Sequence, residues 1–301
     1  MKKTILRAAA YLKNGQVVAF PTETVYGLGA SIFQENGLKS IFSLKGRPQD
    51  NPLIVHIHDL NQVFMLARDI PPEFFTLAKA FFPGPLTLIL PKSPELSNLV
   101  TASLDTIAIR MPDHKIALSL LKELDEPIAA PSANLSGKPS PTSYQHVEKY
   151  FSDNLPLILD GGECAVGIES TVLSLVGEPT ILRPGSITQK QIEDALVRAV
   201  KIEKAECKAL CPGMKYRHYA PKARVLLFRK LEDIRVLDEN TMVLSNHPIA
   251  GCNSIYPFSQ KSLYKLFHLA DEKGIDSIQI YLDKESERDI GLMNRIEKSS
   301  Q

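Results

Sequence analysis

Polar or cationic side chains stand at six places in the sequence where a predicted strand begins or ends. These clusters are Thr24/Tyr26, Lys45/Arg47, Arg110, Ser132/Asn134, Ser170/Thr171 and Arg183. Ligands of open α/β sheets gather outside strand ends, so we expect the six clusters to share one pocket. A pocket with several lysine and arginine side chains suits a polyanion together with a small carboxylate.

The stretch PTETVYGLGA, residues 21–30, follows the apolar run 17–20, which is typical of a buried strand. It places Thr22, Glu23, Thr24 and Tyr26 beside Gly27 and Gly29. Because glycines let backbone approach a ligand closely, the stretch indicates either a small-molecule site or an ordinary turn from a strand into a helix. GLG begins like a dinucleotide fingerprint, but Ile32 replaces the third glycine, and the sequence contains no phosphate loop and no G-x-S-x-G elbow.

The other clusters each have a functional and a structural interpretation. Lys45 and Arg47 flank a glycine and suit a triphosphate, or they belong to a solvated basic loop. Arg110 ends a predicted strand over 106–110 and can clamp a carboxylate or pair with a surface acid. Ser132 and Asn134 follow an apolar run and can bind a ligand or cap a turn. The residues alone leave these alternatives open.

The amino-acid composition limits the classes of protein to which this chain can belong. The chain has 301 residues, 44% hydrophobic and 23% charged, which are values of a globular protein. A formal net charge of +1 gives no global attraction to nucleic acid or membrane, although a local basic groove remains compatible with it. No apolar run approaches the roughly 18 residues of a transmembrane helix, so none is expected. Arg7 and Lys13 interrupt the N-terminal apolar residues, which favours an amphipathic helix over a signal peptide.

The four cysteines are few for this length and indicate a reducing cytoplasm. Cys207 and Cys211, with His218 nearby, could form half of a metal site, but no second pair of ligands follows. We therefore expect the cysteines to be structural or incidental and expect no protein-bound metal.

The pattern of elements predicts two α/β domains. Residues 1–205 mix strands and helices, with several consecutive strands late in the segment, and predict a twisted, open, mixed sheet with helices. A capping box at Thr188-x-x-Gln191 predicts a helix that reaches about Lys204. Residues 206–223 contain prolines and glycine without a clear period and predict a linker. Residues 224–301 predict a small Rossmann-like α/β domain.

Motifs along nearly the whole chain closely resemble the YrdC-like threonylcarbamoyl-AMP synthases. They are PTETVYGLGA, K-x-R at 45–47 with NPL at 51–53, PGPLT at 83–87, APSAN at 130–134, GIESTV at 167–172 and LRPG at 182–185. They occur in family order over about residues 1–205. PGMKYRHYAPKA at 212–223 and the terminal GLMNR at 291–295 resemble the long, two-domain (SUA) form.

The resemblance implies a nucleotidyltransferase that condenses L-threonine, bicarbonate and ATP, with Mg²⁺, into threonylcarbamoyl-AMP and pyrophosphate. Other proteins would then transfer the threonylcarbamoyl group to the adenosine beside the anticodon of tRNA in the cytoplasm. Two alternatives are a module that binds double-stranded RNA or tRNA and a domain that transfers a carbamoyl group. The near-zero net charge argues against a pure nucleic-acid binder. A weak tRNA contact remains compatible with the enzyme.

The resemblance also implies roles for individual residues. ATP would be held by Lys45, Arg47, Asn51, Thr106, Ser132, Asn134, Ser140 and Arg183, with Tyr216 or Tyr219 of the linker closing over the pocket. Threonine would be held by Thr24, His56, Arg110, the backbone at Ala130, and Ser170. Lys45 and Arg47 would carry catalysis by stabilising the leaving pyrophosphate. The role of Glu23 stays open, between orienting a neighbour, an indirect contact with Mg²⁺, and structure.

Overall fold

The computed structural model describes residues 1–203, 219–235, 240–249, 252 and 254–301. Most of the predicted linker, with Tyr216, Cys207, Cys211 and His218, lies outside these residues. Where the linker begins therefore stays a prediction. Among the described residues, no helix has the length and apolarity needed to cross a membrane.

A nine-stranded mixed sheet organises the first two thirds of the chain. Its strands are β1 Val18–Phe20, β2 Gly27–Ser31, β3 Ile54–His56, β4 Leu86–Pro91, β5 Thr106–Arg110, β6 Ile128–Ala130, β7 Thr171–Ser174, β8 Thr180–Arg183 and β9 Lys201–Ile202. The helices are α1 Lys2–Lys13, α2 Glu35–Lys45, α3 Val63–Leu66, α4 Pro72–Phe81, α5 Asn98–Thr101, α6 Lys115–Leu124, α7 Tyr144–Phe151 and α8 Gln189–Leu196. The strand order is β1-β2-β6-β3-β5-β4-β7-β8-β9.

A second, four-stranded sheet lies in the C-terminal part. Its strands are β10 Arg224–Phe228, β11 Thr241–Leu244, β12 Ile255–Tyr256 and β13 Ser277–Tyr281, and its helices are α9 Leu263–Lys273, α10 Lys284–Arg288 and α11 Ile290–Ser299. The order is β10-β13-β11-β12, and all of these pairs are parallel. The predicted fold class, a large mixed sheet followed by a small α/β domain, is confirmed.

The two faces of the large sheet are covered differently. One face packs against α2, α4 and α7 in the main apolar core. On the other face, α1 and α6 pack over β1 and β6. The same face continues over β3 and β5 through Ile54 and Ala108, which are 8% and 6% exposed. That part of the face is not covered by α1 and α6, and its residue Ile54 lines the cavity described below.

The structure excludes one alternative that the sequence left open, and one local prediction was wrong. PTETVYGLGA does not lead into a helix, because Gly27–Ser31 turns back as a strand antiparallel to β1. Glycine is required there, since a Cβ on Gly29 would lie 2.7 Å from the Phe20 ring. The Thr188 capping box is present, but α8 ends at Leu196 rather than near Lys204. Val197 adopts a left-handed conformation (φ 53°) that stops the helix.

Helix α11 contacts the large domain backbone to backbone. A Cβ on Gly291 would lie 2.7 Å from the carbonyl oxygen of Gly185, in the loop after β8. Val25 and Ile168 of the large domain also belong to the same apolar cluster as Leu292 of α11. The two domains therefore share a core at this contact, and it lies beside the cavity.

Gly291→Ala should push α11 away from the loop at Gly185, because the added methyl group would overlap backbone atoms. Overpacking of this kind costs about 1–3 kcal/mol, so we expect a lower midpoint of chemical unfolding. Glu297→Ala, at an exposed position of the same helix, is the control and should leave the midpoint nearly unchanged. Equal midpoints for Gly291→Ala and the wild type would contradict the close contact.

Candidate active site

A cavity of about 590 Å³, including its open mouth, lies on the face formed by β3, β5 and β6. Its lining is Thr22, Thr24, Val25, Tyr26, Gly27, Arg47, Ile54, His56, Arg110, Ala130, Pro131, Ser132, Glu169, Ser170, Arg183 and Tyr219. Each of the six clusters predicted from the sequence contributes at least one residue to this lining.

The structure brings together most of the predicted site residues. All five residues assigned to threonine line the cavity: Thr24, His56, Arg110, Ala130 and Ser170. Four of those assigned to ATP do so as well: Arg47, Ser132, Arg183 and Tyr219. Widely separated segments of the chain therefore meet at one place, as the strand-end argument predicts.

Four further residues are buried behind the cavity wall. Lys45 donates through Nζ to the carbonyl oxygens of Ser132, at 2.5 Å, and Asn134. The hydroxyl of Ser132 donates to Oδ1 of Asn134 at 2.5 Å. Arg47 donates through Nε to the carbonyl of Asn51 at 3.2 Å. Ser140, the fourth, contacts Glu169 of the lining.

Thr106 neither lines the cavity nor is buried behind its wall. It is the first residue of β5, while Arg110 is the last. Three residues lie between the two, so four steps along the strand separate them by about 13 Å. Thr106 nevertheless shares a face with Ala108 and Arg110. The apolar surface through Ile54 and Ala108 therefore leads from the cavity toward Thr106.

Arg110 is fixed by three partners on the threonine side of the cavity. Its Nη1 donates to Oγ1 of Thr24 at 2.8 Å, and its Nε donates to the carbonyl of Gly84 at 3.2 Å. Its Nη2 lies 2.6 Å from Oε1 of Glu23. Both charged side chains are buried. Glu23, whose role the sequence leaves open, is therefore the counter-ion of Arg110.

His56 faces the cavity as a neutral group. Burial and the adjacent Arg110 charge lower its pKa to about 3. Its ring packs edge-on against Phe20, with centroids 5.7 Å apart. At physiological pH it can therefore offer hydrogen bonds to a ligand but no charge.

The phosphate side of the cavity concentrates positive charge. Burial and the adjacent Arg47 charge lower the pKa of Lys45 well below its ordinary value. Burial lowers the pKa of Arg47 to about 10, and the charge of Arg183 contributes to that shift. Arg183 is anchored by donating through Nε and Nη2 to the carbonyl of Ser170, at 3.1 and 3.0 Å. Such crowding of cations favours binding of an anion.

Glu169 is a carboxylate in the wall of this cation-rich cavity. It accepts hydrogen bonds from Ser140 Oγ at 2.5 Å, Tyr264 Oη at 3.0 Å and Arg295 Nε at 2.8 Å. Burial alone would raise its pKa, but the charges of Arg295 and Arg183 lower it to about 2. Sequence reasoning gave Glu169 and Arg295 no role, although both stand in motifs of the resemblance.

The described residues of the cavity do not form a set of metal ligands. Within the part of the chain that the structure describes, no three His, Cys, Asp or Glu side chains come together as ligands. Glu23 and Glu169 line or adjoin the cavity, but each is already engaged by an arginine. Mg²⁺ would prefer free carboxylate oxygens, so the side chains here do not fit it.

Pyrophosphate should bind with uptake of protons. Because the pKa of Lys45 is lowered in the free protein, a bound polyanion that favours the charged form must raise it. At pH values between the free and the bound pKa, binding then transfers protons from the buffer to Lys45. Calorimetric titrations in buffers of different ionisation enthalpy measure this uptake. Lys45→Met should abolish this proton uptake. If the heat of pyrophosphate binding to the wild type does not depend on the buffer at any pH tested, the assignment of Lys45 to the phosphates would be contradicted.

Comparisons with known proteins agree with the geometry. The Sua5_yciO_yrdC family model, described as "Telomere recombination", matches residues 10–185. The model described as "Threonylcarbamoyl-AMP synthase, C-terminal domain" matches residues 187–301. A Pyrococcus abyssi relative named threonylcarbamoyl-AMP synthase is 42% identical over 97% of this chain and 93% of its own. A Bacillus subtilis relative of the same name is 53% identical over 73% of this chain and 65% of its own.

A solved structure, the Pyrococcus abyssi Sua5 protein complexed with L-threonine, has the same fold over both domains. Its TM-score is 0.91 at 41% identity, covering 100% of this chain and 95% of that one. The chain therefore belongs to the Sua5/YciO/YrdC family, in the form that also carries the Sua5 C-terminal domain.

Proposed function

We propose that this protein is an L-threonylcarbamoyladenylate synthase, which converts L-threonine, bicarbonate and ATP to threonylcarbamoyl-AMP and pyrophosphate. The observation that carries the proposal is the single cavity in which all five residues assigned to threonine meet Arg47, Ser132 and Arg183. The names of the relatives, and the L-threonine complex of the Pyrococcus abyssi protein, support the same activity.

The threonine half of the cavity offers groups suited to an amino acid. Arg110, held by Glu23, gives a planar donor for a carboxylate or for the carboxylated amine. Thr24, His56 and Ser170 offer neutral hydrogen-bonding groups for the hydroxyl and the amine. The site thus suits a small, polar and partly anionic substrate.

The other half suits a nucleoside triphosphate. Arg47 and Arg183 face the cavity, and Lys45 lies behind its wall, so positive charge surrounds the position proposed for the phosphates. The apolar face through Ile54 and Ala108 offers a flat surface for the purine, leading toward Thr106. Tyr219 lines the cavity and is proposed to cover the nucleotide. The corresponding role of Tyr216 stays a prediction.

The reaction needs positioning rather than a protein nucleophile. The amine of threonine adds to bicarbonate carbon, and loss of water gives an N-carboxylate. An oxygen of this carboxylate forms a bond to the α-phosphorus, and the bond to the bridging oxygen breaks to release pyrophosphate. Arg47 and Lys45 would stabilise the charge that develops on the leaving group. Cys164 is buried, and burial is the main cause that raises the pKa of its thiol to about 12. The thiol therefore remains neutral.

Mg²⁺ would enter with ATP rather than be held by side chains. The carboxylates of Glu23 and Glu169 are engaged by Arg110 and Arg295, so they are poor candidates for metal ligands. Phosphate oxygens and water commonly supply the coordination of Mg²⁺ in ATP complexes. We therefore treat MgATP as the substrate.

The product implies partners that this chain does not contain. Threonylcarbamoyl-AMP is an activated mixed anhydride, so a second class of protein must transfer its acyl group to adenosine of tRNA. We propose the cytoplasm as the location because ATP and tRNA meet there. A weak contact with tRNA or double-stranded RNA at the cavity mouth is compatible with the cationic lining.

Pyrophosphate release from ATP should require both threonine and bicarbonate. Arg47→Met should lower kcat/KM at least tenfold, a loss of about 1.4 kcal/mol or more of transition-state stabilisation. Arg7→Met, the same change at an exposed arginine of α1, is the matched control and should retain full activity. A signal that survives omission of either threonine or bicarbonate would reject the proposed reaction.

A further inference from the structure

Glu169 places a buried carboxylate in the wall of a cavity proposed to bind a polyanion. An uncompensated negative charge there would repel phosphate groups, and a low-dielectric surrounding would strengthen that repulsion. The polyanion site therefore needs a group that cancels the charge of Glu169. Arg183, a residue predicted for ATP, acts on Glu169 through its charge, but its described hydrogen bonds go to Ser170.

Arg295 of the C-terminal domain is that group. Its Nε donates to Oε2 of Glu169 at 2.8 Å, and its Nη2 donates to the Glu169 carbonyl at 3.1 Å. Its Nη1 donates to the carbonyl of Pro184 at 2.7 Å. The side chain is fully buried. The close contact at Gly291 brings α11 near enough for these bonds, because Arg295 follows it by one helical turn.

Helix α9 adds two more contacts to the same cluster. The hydroxyl of Tyr264 lies 3.0 and 3.3 Å from the two carboxylate oxygens of Glu169. His268, one turn later, lies 3.2 Å through Nε2 from the carbonyl oxygen of Ser140. Ser140 itself donates to Oε1 of Glu169. The C-terminal domain thus holds Glu169 and Ser140 from two helices.

We propose that Arg295 is a positioning residue for polyanion binding, through which the C-terminal domain neutralises Glu169 and completes the nucleotide side of the cavity. This inference rests on the proposed function, in which ATP occupies that side. This electrostatic role differs from a purely structural one, in which Arg295 would only hold the two domains together as a clamp. A clamp would affect all ligands alike, whereas charge compensation acts in proportion to the charge of the ligand.

The test is calorimetric binding of ATP, adenosine and L-threonine to the full chain. Arg295→Met should weaken ATP binding at least tenfold, about 1.4 kcal/mol, and should change the Kd of adenosine and threonine much less. Glu169→Gln should bind ATP at least as tightly as the wild type. The double variant should regain most of the ATP affinity, because it lacks the uncompensated carboxylate. Arg229→Met, which breaks an exposed pair with Glu287 in the same domain, is the control and should bind as the wild type does.

Arg295→Met leaves a buried charge unpaired and could prevent folding. Tyr264→Phe removes only the hydroxyl from the same carboxylate and should give a smaller loss, still specific to ATP. Wild-type protein that fails to bind ATP would reject the proposed function itself. The role of Arg295 would be rejected if the wild type binds ATP and if Tyr264→Phe and every folded Arg295 variant bind it equally well. Equal losses for ATP and adenosine, without recovery in the double variant, would indicate a clamp.

Discussion

Positive charge held away from water is the constraint on which this structure depends. Lys45, Arg47 and Arg183 crowd one side of a buried cavity, and burial disfavours the charged forms of Lys45 and Arg47. Two further arginines, Arg110 and Arg295, are each balanced by a buried carboxylate. Lys45 and Arg47 are suited to an anionic ligand, and binding such a ligand relieves the cost of their desolvation.

The fold meets this constraint by bringing distant segments to one face of a sheet. Strands β3 and β5 pair in parallel, so His56 and Arg110 lie side by side at their ends. Helices α1 and α6 cover the neighbouring strands of that face but leave its centre for the cavity. The C-terminal domain then contributes Arg295 and Tyr264, which hold Glu169 of the wall through hydrogen bonds. The position of this wall residue therefore depends on contacts from both domains.

Local signals were sufficient for much of the fold. The strand over 106–110 and the capping box at Thr188 are where the sequence places them. Strand-end polar residues also predicted a shared pocket, because sheet geometry gathers strand ends. The excluded turn at Gly27 and the wrongly predicted helix end at Val197 both concern backbone conformations that packing decides. Gly27 can form a turn or a strand, and only its pairing with Phe20 selects the strand.

Long-range ion pairs could not be inferred in the same way. Glu169 and Arg295 lie 126 residues apart, and neither side chain has a local feature that reveals its partner. Glu23 likewise had three open interpretations until Arg110 was found beside it. Pairing of buried charges depends on tertiary structure. Motif spacing therefore identifies the charged residues but does not show which carboxylate pairs with which arginine. The contact of Arg295 with Glu169 is therefore a property of the tertiary structure that the sequence pattern does not reveal.

Incorporation of labelled bicarbonate tests the central claim most directly. The protein is incubated with ATP, L-threonine and either carbon-13 or ordinary bicarbonate, and the nucleotide product is identified by mass spectrometry. The account predicts a threonine-containing AMP derivative that is heavier by one labelled carbon in the first mixture. An AMP derivative of threonine without the label, or ATP cleavage with no such derivative, would contradict the claim that one cavity joins the three substrates.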